Sequence, residues 1–556
     1  MFFLYAGVLL LLSSYLTLRG LDNSYFWDDE AVTAITARNF LASGRLSGWD
    51  GRNLLAFRNG AGLDDNLCNR DPPLQSLWAA ASFKLFGTTT WAGRFPFAVA
   101  GLAALLLFAL LLREIFGDRS PAACYALAAL ALSPVYLLYI RQCRYYGSAV
   151  LFTLGVFWAW RRLETERRPQ YSLVAGVAAV GLYFSNYLLA AAFLPALAVT
   201  RLVFRRGRIP WKLAAPGAAV FLLATVPHAV LERAWDRPDL PVTLPWHINN
   251  SILLWWYVRD LNRMQCVPWM LATVVLLAAI WRRHDVLLRT LGEWLLLSGA
   301  YILLLAMASR QDASQTRLAD VRYLVPIVPF LIGAIGIGLG LIHKLARWGP
   351  ALAVLLLLGM LTTNALSLLP GKKAPVWWKA NSAGEVPFRW LLPAYSGEIH
   401  RPYPTAFQEV AEFLNAKARQ DDLVCAAPEF CNYPLMFYAG SRIRLCCSLT
   451  ADSHLYPRVR SLDAPLLEDE HFPDWFVLFS GYPGTVERLR FFRRPIHVGQ
   501  QVVRHDYRLI SFLNVHPQEE ASRPEMFFHS FDPSYDFASE KNMVYLFHNE
   551  GVIAVK

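Results

Sequence analysis

The sequence has few charged residues, and its first eighteen positions contain no Lys or Arg. Asp, Glu, Lys and Arg make up 17% of the 556 residues, whereas soluble domains contain about 25%. Hydrophobic residues make up 55% and aromatic residues 14%, which argues against a fully soluble fold. The chain also lacks internal repeats and low-complexity segments, so a repeat architecture is excluded.

The chain instead contains a series of apolar runs, many of them close to the length of about 20 residues that a helix needs to cross a membrane. We predict a polytopic α-helical membrane protein with about eleven crossings. The runs lie near Met1–Leu18, Trp91–Leu112, Ala122–Ile140, Tyr146–Trp160, Leu173–Ser185, Leu188–Phe204, Leu213–Leu231, Val267–Ile280, Leu291–Ala308, Tyr323–Ile342 and Ala351–Leu368. Ser185 and Asn186 are the one plausible turn in the stretch from Tyr171 to Phe204, which we interpret as a tight hairpin.

Basic residues gather in four short gaps between the apolar runs. In the eleven-crossing arrangement all four gaps lie on one side, which the positive-inside rule makes cytoplasmic. The gaps contain Arg161, Arg162, Arg167 and Arg168; Arg205, Arg206, Arg208 and Lys212; Arg282, Arg283 and Arg289; and Lys344 and Arg347. The basic residues that give the formal charge of +11 therefore set the orientation of the chain in the membrane, and no nucleic-acid partner is needed to explain them. Because no basic region precedes Met1–Leu18 and no convincing cleavage site follows, we expect this run to stay as a span.

We divide the chain into a transmembrane module over residues 1–370 and a soluble α/β domain over residues 371–556. The module includes a first outer loop with juxtamembrane helices over residues 21–90, and both this loop and the C-terminal domain face outward. The apolar patterns of the C-terminal domain predict one helix and three strands. They lie at Thr405–Ala418 for the helix and at Leu423–Ala427, Trp475–Phe479 and Met543–Phe547 for the strands.

Five of the eight cysteines lie outside the predicted spans, where an oxidising compartment would allow disulfides. They are Cys68, Cys425, Cys431, Cys446 and Cys447. We expect one or two disulfides in the tail, whose pairing the sequence leaves open. The spacing fits neither half of a zinc-ribbon pattern, which argues against a metal role.

An acidic triplet, Asp28, Asp29 and Glu30, follows the first apolar run. Carboxylates beside a bilayer are costly unless a function holds them there. One interpretation is a helix N-terminus, where acidic side chains accept backbone N–H bonds and suit the helix dipole. The other is a general base that takes a proton from an incoming hydroxyl.

Several other polar groups lie on the outward side. Asp71 precedes two prolines, a pattern typical of a turn that starts a helix. His247, alone in an outer loop, is a weaker candidate for substrate contact. Arginines at the outer ends of two spans oppose the positive-inside tendency, and Arg is the preferred partner of phosphate. With their tyrosine neighbours they are Arg141, Arg144, Tyr145, Arg322 and Tyr323.

These motifs, in this order, closely resemble those of the GT-C membrane glycosyltransferases. Within that class the chain looks most like the protein O-mannosyltransferase and lipid A aminoarabinose transferase group. The resemblance spans roughly residues 1–345. It rests on Asp29-Glu30, Asp71-Pro72-Pro73-Leu74, Phe83-Lys84-Leu85-Phe86-Gly87, Arg94-Phe95-Pro96, Arg141-x2-Arg144-Tyr145 and Arg322-Tyr323-Leu324-Val325-Pro326.

The resemblance implies an enzyme that moves a sugar, with inversion, from a polyprenyl-phosphate donor to a lipid, glycan or protein acceptor. It implies Asp29 as the catalytic base, with the neighbouring Asp28 leaving the assignment open. Glu30 or Asp71 then orients the acceptor or binds a divalent cation. The family often has His or Lys where this chain has Asp71, and this departure weakens the inference of protein mannosylation specifically.

We further expect a bacterial inner-membrane protein, with the active site and the C-terminal domain facing the periplasm. The five outward Arg and Tyr residues would hold the donor phosphate among membrane lipids. A lipid or glycan transporter or channel would instead place its charges in the middle of the membrane at broken helices. A non-catalytic envelope-assembly protein would not need Asp29.

Overall fold

The structure is a computed structural model and is described over residues 2–56, 59–205, 211–231, 243–267, 270–273, 275, 285–309, 311–314, 321–345, 347–368, 388–401, 405–447, 449–462, 464–466, 472–479, 490, 493, 496–498, 501–514 and 543–554. The chain forms two compact units. The first comprises Met1–Leu21 and Phe95–His400, and the second comprises Asp22–Arg94 and Arg401–Lys556.

Helices make up most of the secondary structure. In chain order they are α1 (Phe2–Leu18), α2 (Asp28–Ser43), α3 (Pro73–Phe86), α4 (Thr90–Phe116), α5 (Pro121–Ala131), α6 (Pro134–Ile140), α7 (Tyr146–Glu166), α8 (Pro169–Ser185), α9 (Tyr187–Arg205), α10 (Trp211–Leu231), α11 (Trp246–Asp260), α12 (Asp285–Ala308), α13 (Val328–Leu345), α14 (Gly349–Thr362), α15 (Ala365–Leu368), α16 (Leu392–His400), α17 (Ala406–Lys417), α18 (Asn432–Tyr438) and α19 (Tyr456–Ser461). Short 3-10 helices cover Leu261–Met264, Val321–Ile327 and Glu429–Cys431.

Within the described residues, five helical segments are long and apolar enough to cross a membrane. They are Thr90–Phe116, Tyr187–Phe204, Lys212–Leu231, Val286–Ala308 and Val321–Leu345. A sixth crossing results if α5 and α6, which are bent by 52°, form one broken span. The protein is therefore an integral membrane protein in its helical part, while the total of about eleven crossings stays a prediction. The span predicted at Val267–Ile280 and the boundary predicted at residue 370 fall largely outside the described residues.

The predicted hairpin between Tyr171 and Phe204 is present as two helices. The chain leaves α8 at Ser185, and Asn186 has an extended backbone before α9 begins. The side-chain oxygen of Asn186 accepts a hydrogen bond from the Leu189 N–H at 3.2 Å, as a residue at the start of a helix does. A single capping residue is thus enough to separate two apolar helices.

Helix α13 is buried over nearly its whole length and packs on α5 through small residues. A Cβ atom added at Gly336 would lie 2.5 Å from the Cβ of Ala126, and one added at Gly340 would lie 2.7 Å from that of Ala122. Small residues four apart allow helix backbones in membranes to approach closely. Side chains larger than hydrogen are therefore excluded at these two glycines.

The second unit contains one six-stranded sheet with the order β2-β1-β3-β6-β5-β4. The strands are β1 (Leu423–Ala427), β2 (Arg444–Leu445), β3 (Trp475–Phe479), β4 (Ile496–Val498), β5 (Gln501–Asn514) and β6 (Met543–Ala554). Strand β1 pairs in parallel with β2 and β3, with Val424 opposite Trp475, and the remaining pairs are antiparallel. The predicted strands at Leu423–Ala427 and Trp475–Phe479 are confirmed, as is the predicted helix, which forms α17. The third predicted strand is longer than expected and ends at Ala554.

The first outer loop is part of the same compact unit as the sheet. Leu54, Leu63 and Leu67 form one buried cluster with Leu449 and Leu455 of the C-terminal segment. Long-range burial of this kind is not visible in the local pattern of either segment. It places the loop and the C-terminal segment in one compact unit.

Two cysteines of the C-terminal segment lie in different buried clusters, Cys425 with residues of the sheet and Cys447 with residues of the first outer loop. Cys425 and Cys447 are buried, and neither is in a disulfide. Burial raises the pKa of the Cys447 thiol to about 12. The expectation of tail disulfides therefore finds no support at these two positions.

Candidate functional site

The acidic triplet forms the first turn of α2. Asp28, Asp29 and Glu30 follow Trp27, whose extended backbone starts the helix, and Gly44 ends it with a left-handed backbone at φ 72°. The helix N-terminus interpretation of the triplet is thus correct in its geometry. Carboxylates here interact favourably with the exposed N–H groups and the helix dipole. Asp28 and Asp29 are half-buried, whereas Glu30 is completely buried.

Glu30 is neutralised by Arg94, which lies in the first turns of α4. Arg94 Nε donates to Glu30 Oε1 at 2.8 Å and Nη2 donates to Oε2 at 2.6 Å. This bidentate arrangement is the strongest geometry of an arginine–carboxylate pair. Both side chains are almost fully buried, with exposed fractions of 6% for Arg94 and 0% for Glu30. A buried charge is tolerated only with such a partner.

Arg94 also holds the chain segment that leads into the triplet. Its Nη1 donates to the carbonyl oxygen of Ser24 at 2.9 Å, and its Nη2 donates to that of Tyr25 at 3.2 Å. One guanidinium therefore fixes both the approach to α2 and its third residue. The position of Asp29, between them in the chain, is set by this frame.

Asp71 lies half-buried immediately before the two prolines, and Pro73 begins α3 as predicted. The Asp71 N–H donates to Asn69 Oδ1 at 2.9 Å. The amide nitrogen of Asn69 in turn donates to Thr36 Oγ1 at 3.3 Å. The loop that carries Asp71 is thereby tied to α2, the helix that carries the triplet.

Arg141, in the first unit, caps the C-terminal end of α1. Its Nη2 donates to the carbonyl oxygens of Arg19 at 3.0 Å and Gly20 at 2.6 Å, and its Nη1 donates to Tyr395 Oη at 3.0 Å. A cation at this end of a helix satisfies carbonyls that have no partner within the helix. Much of the donor capacity of this guanidinium is therefore used within the protein.

The other predicted phosphate-binding residues come together around Tyr145, at the start of α7. Burial raises the pKa of the Tyr145 phenol well above its ordinary value, and the phenols of Tyr146 and Tyr323 raise it further. The guanidinium groups of Arg322 and Arg144 act in the opposite direction. Residues far apart in sequence are therefore close enough in space to influence one phenol.

The Tyr145 hydroxyl is buried and has no hydrogen-bond partner among the described residues. Arg144 is also buried, and its guanidinium carbon lies 5.6 Å from the centre of the Tyr145 ring. That of Arg322 lies 5.5 Å from the Tyr323 ring. Two cations and a phenol that can donate a hydrogen bond are the groups that bind a phosphate. We call Arg144, Tyr145, Tyr146, Arg322 and Tyr323 the Tyr145 cluster.

Two other predictions concern a substrate contact at His247 and a metal ion. His247 is exposed in the first turn of α11, and its carbonyl oxygen accepts from Ser251 Oγ at 2.7 Å. Among the described residues no group of three or more His, Cys, Asp or Glu side chains is arranged to hold a metal ion. No step proposed below depends on a metal.

Arg94 is part of a motif named from the sequence, Arg94-Phe95-Pro96, but no function was predicted for it. Its signal was available: like Arg141 and Arg144, it is a cation at the predicted outer end of a span, against the positive-inside tendency. Its partner Glu30 was not predictable, because 64 residues separate the two in the chain.

Comparisons with known proteins agree with this architecture. Residues 70–231 match the family model of dolichyl-phosphate-mannose-protein mannosyltransferase. The structure is similar to the apo crystal structure of ArnT from Cupriavidus metallidurans, with a TM-score of 0.53 and 17% identity, over 90% of this chain and 95% of that chain. The chain has the GT-C fold. The resemblance drawn from the motifs is thereby confirmed in the fold and in the family-model match over residues 70–231.

Two further solved structures are similar to this GT-C chain. One is the same ArnT bound to undecaprenyl phosphate, with a TM-score of 0.49, 16% identity and coverage of 90% and 95%. The other is the arabinofuranosyltransferase AftD from Mycobacteria, with a TM-score of 0.43, 15% identity and coverage of 80% of this chain and 32% of that chain. No curated protein sequence matches the chain significantly.

Proposed function

We propose that this protein is an inverting glycosyltransferase that moves a sugar from a polyprenyl-phosphate donor to a hydroxyl or phosphate acceptor. The observation that carries the proposal is the Tyr145 cluster, because the buried Arg144, the half-buried Arg322 and the buried Tyr145 phenol suit a phosphate ester. The match of residues 70–231 to a mannosyltransferase family supports it. The fold supports it too, because it is similar to that of ArnT.

Asp29 is the proposed catalytic base. Glu30 is buried against Arg94, so its carboxylate has a structural partner and acts by positioning. Asp29 is the residue before Glu30 and is half-buried rather than completely buried. A carboxylate in this position can accept a proton from an acceptor hydroxyl, a contribution worth about 10²–10⁴-fold in rate. Asp71, tied to α2 through Asn69, is the proposed group that orients the acceptor.

Arg144, Tyr145 and Arg322 are the proposed ligands of the donor phosphate, with Tyr323 packed beside Arg322. Arg141 has a different proposed role, since it already caps α1 and thereby holds the turn before Arg144. Positive charge fixed beside a leaving phosphate stabilises the negative charge that develops on it. No strong general acid is then required.

The proposed step is a direct displacement at the anomeric carbon. The acceptor oxygen forms a bond to this carbon while its proton passes to Asp29. The bond from the same carbon to the phosphate oxygen breaks, and polyprenyl phosphate leaves with the electron pair. One base and one leaving group produce inversion without a covalent intermediate. A phosphate acceptor would need no base.

We further propose that the reaction takes place at the outer face of a bacterial inner membrane, with the second unit in the periplasm. This proposal is supported by the basic gaps between the spans. The divalent cation considered from the sequence stays a prediction. Loss of transfer in EDTA and recovery with Mg²⁺ would support it.

Sugar transfer from a synthetic polyprenyl-phosphate donor tests the catalytic role of Asp29. We expect Asp29→Asn, in the full chain in nanodiscs, to lower kcat at least 100-fold, because a neutral amide cannot take the proton. Asp22→Asn removes an exposed acid from the same segment and serves as the matched control. An unchanged rate for Asp29→Asn with normal expression would reject the catalytic role.

Donor retention tests the Tyr145 cluster separately. We expect Tyr145→Phe to weaken binding of polyprenyl phosphate about tenfold, because it removes one hydrogen bond to a charged group. Its stability should change little, since the hydroxyl has no partner among the described residues. Binding equal to that of the parent protein would count against a phosphate at this position.

A further inference from the structure

The C-terminal segment contributes a tyrosine to the frame of the acidic triplet. Tyr438 is the last residue of α18, which belongs to the same unit as α2 and the start of α4. Its side chain is partly buried, and burial raises the pKa of its phenol above the ordinary value. The group therefore stays a neutral hydroxyl at any working pH.

The Tyr438 hydroxyl connects two segments that are distant in sequence. The backbone N–H of Phe26 donates to Tyr438 Oη at 2.9 Å. Thr90 Oγ1 lies 2.7 Å from the same oxygen in a second hydrogen bond. One hydroxyl thus links the residue before the N-terminus of α2 to the first residue of α4.

These two anchor points lie directly before the buried ion pair. Phe26 is four residues before Glu30, and Thr90 is four residues, about one helical turn, before Arg94. The Tyr438 hydroxyl and the Glu30–Arg94 ion pair therefore connect the same two segments at two places, which lie four residues apart in each segment. Both joints hold the first turn of α2, which contains Asp29.

Aromatic packing strengthens the attachment. The Tyr438 ring stacks on Tyr25 with 3.7 Å between ring centres. The neighbouring Phe437 meets Phe26 edge to face at 5.1 Å. Arg38, within α2, donates from Nη1 to the Phe437 carbonyl oxygen at 3.2 Å. The end of α18 consequently contacts both the segment before α2 and the helix itself.

We propose that Tyr438 is a positioning residue for sugar transfer, which fixes the first turn of α2 so that Asp29 meets the acceptor correctly. The proposal rests on the proposed function, in which Asp29 is the base. It gives the C-terminal segment a direct part in the reaction. A displacement of about 1 Å in such a group can reduce a rate about 100-fold.

Steady-state transfer by the full chain in nanodiscs tests the proposal. We expect Tyr438→Phe to lower kcat about tenfold, with the KM for the polyprenyl-phosphate donor changed less than about twofold, because the Tyr145 cluster is untouched. Tyr507→Phe is the matched control. It removes a fully buried tyrosine hydroxyl of the same unit, one that donates to the Pro473 carbonyl oxygen at 2.7 Å. We expect it to leave kcat unchanged.

Thr90→Val tests the same joint from the other side. If the Tyr438 hydroxyl acts through both segments, the double variant with Tyr438→Phe should be no slower than the slower single variant. If the two substitutions instead lower kcat independently, so that their effects multiply in the double variant, Tyr438 does not act through its hydrogen bond to Thr90. A kcat for Tyr438→Phe equal to that of the Tyr507→Phe control would overturn the positioning role, even with a lowered Tm. Failure of the proposed function is a separate outcome, since it appears as full activity of Asp29→Asn.

Discussion

The buried Glu30–Arg94 pair allows a quantitative prediction of stability. Arg94→Met keeps the length of the side chain but removes two hydrogen bonds to Glu30 and those to Ser24 and Tyr25. It leaves a completely buried carboxylate without its cation. Removing one partner of a buried pair costs about 3–5 kcal/mol. A change of 1 kcal/mol moves the Tm of a domain of 150–250 residues by about 2–4 °C, so we expect a fall of about 10 °C.

Thermal unfolding followed by tryptophan fluorescence measures this effect on the full chain in detergent. Arg113→Met provides a control in the same helix. Arg113 pairs with Asp118 at 2.6 Å, but the two side chains are 41% and 55% exposed. Exposed pairs contribute little because water screens them. We therefore expect the control to melt within about 2 °C of the parent protein.

A double variant separates the charge from the packing. Glu30→Met together with Arg94→Met removes both charges, so no buried ion remains and we expect much of the lost stability to return. Sugar transfer should stay low, because the frame that holds Asp29 is gone. A Tm for Arg94→Met equal to that of Arg113→Met would refute the reasoning. So would a double variant less stable than Arg94→Met.

Three further outcomes are expected. Gly336→Leu should prevent folding, seen as loss of the monodisperse peak in size exclusion, because even a Cβ would lie 2.5 Å from Ala126; Gly299→Ala, with nothing within 4 Å, should fold normally. Asn53→Ala should destabilise the second unit by about 2–3 kcal/mol in thermal unfolding, because this buried side chain bonds three backbone groups of the C-terminal segment; a Tm unchanged from the parent would contradict this. Burial tends to raise the pKa of Asp312, but hydrogen bonds lower it to about 2. Its contribution to stability is therefore present above about pH 4 and lost as the pH falls through about 2, so Asp312→Asn should lower the Tm at pH 7 and not at pH 2.

Local patterns predicted many elements of this fold, although the strands at Arg444–Leu445, Ile496–Val498 and Gln501–Asn514 were not among them. A run of apolar residues followed by Asn186 was sufficient to indicate two helices, because a helix end depends on the residues beside it. The strands at Leu423–Ala427 and Trp475–Phe479 were likewise readable, since buried strands are short and continuously apolar. The acidic triplet was identified as a site and also as a helix start, and the structure shows the second directly.

The roles of individual side chains were less accessible. Arg141 and Arg144 look alike in the sequence, since both are arginines at the outer end of a span. In the structure Arg141 caps α1, whereas Arg144 lies beside Tyr145. The difference arises because the carbonyls of Arg19 and Gly20 and the phenol of Tyr395 come within reach of Arg141, and all three lie more than a hundred residues away from it in the chain.

The sequence by itself determined the membrane class, the positions of many helices and of three strands, and the chemical types of the candidate site residues, because each depends on neighbours within a few residues. Only the tertiary structure decided that Glu30 is neutralised by Arg94. It also decided that the first outer loop packs with the C-terminal segment and that Tyr438 joins Phe26 to Thr90. Ion pairs and hydrogen bonds between distant segments form only after apolar burial has brought those segments together, so no local pattern records them.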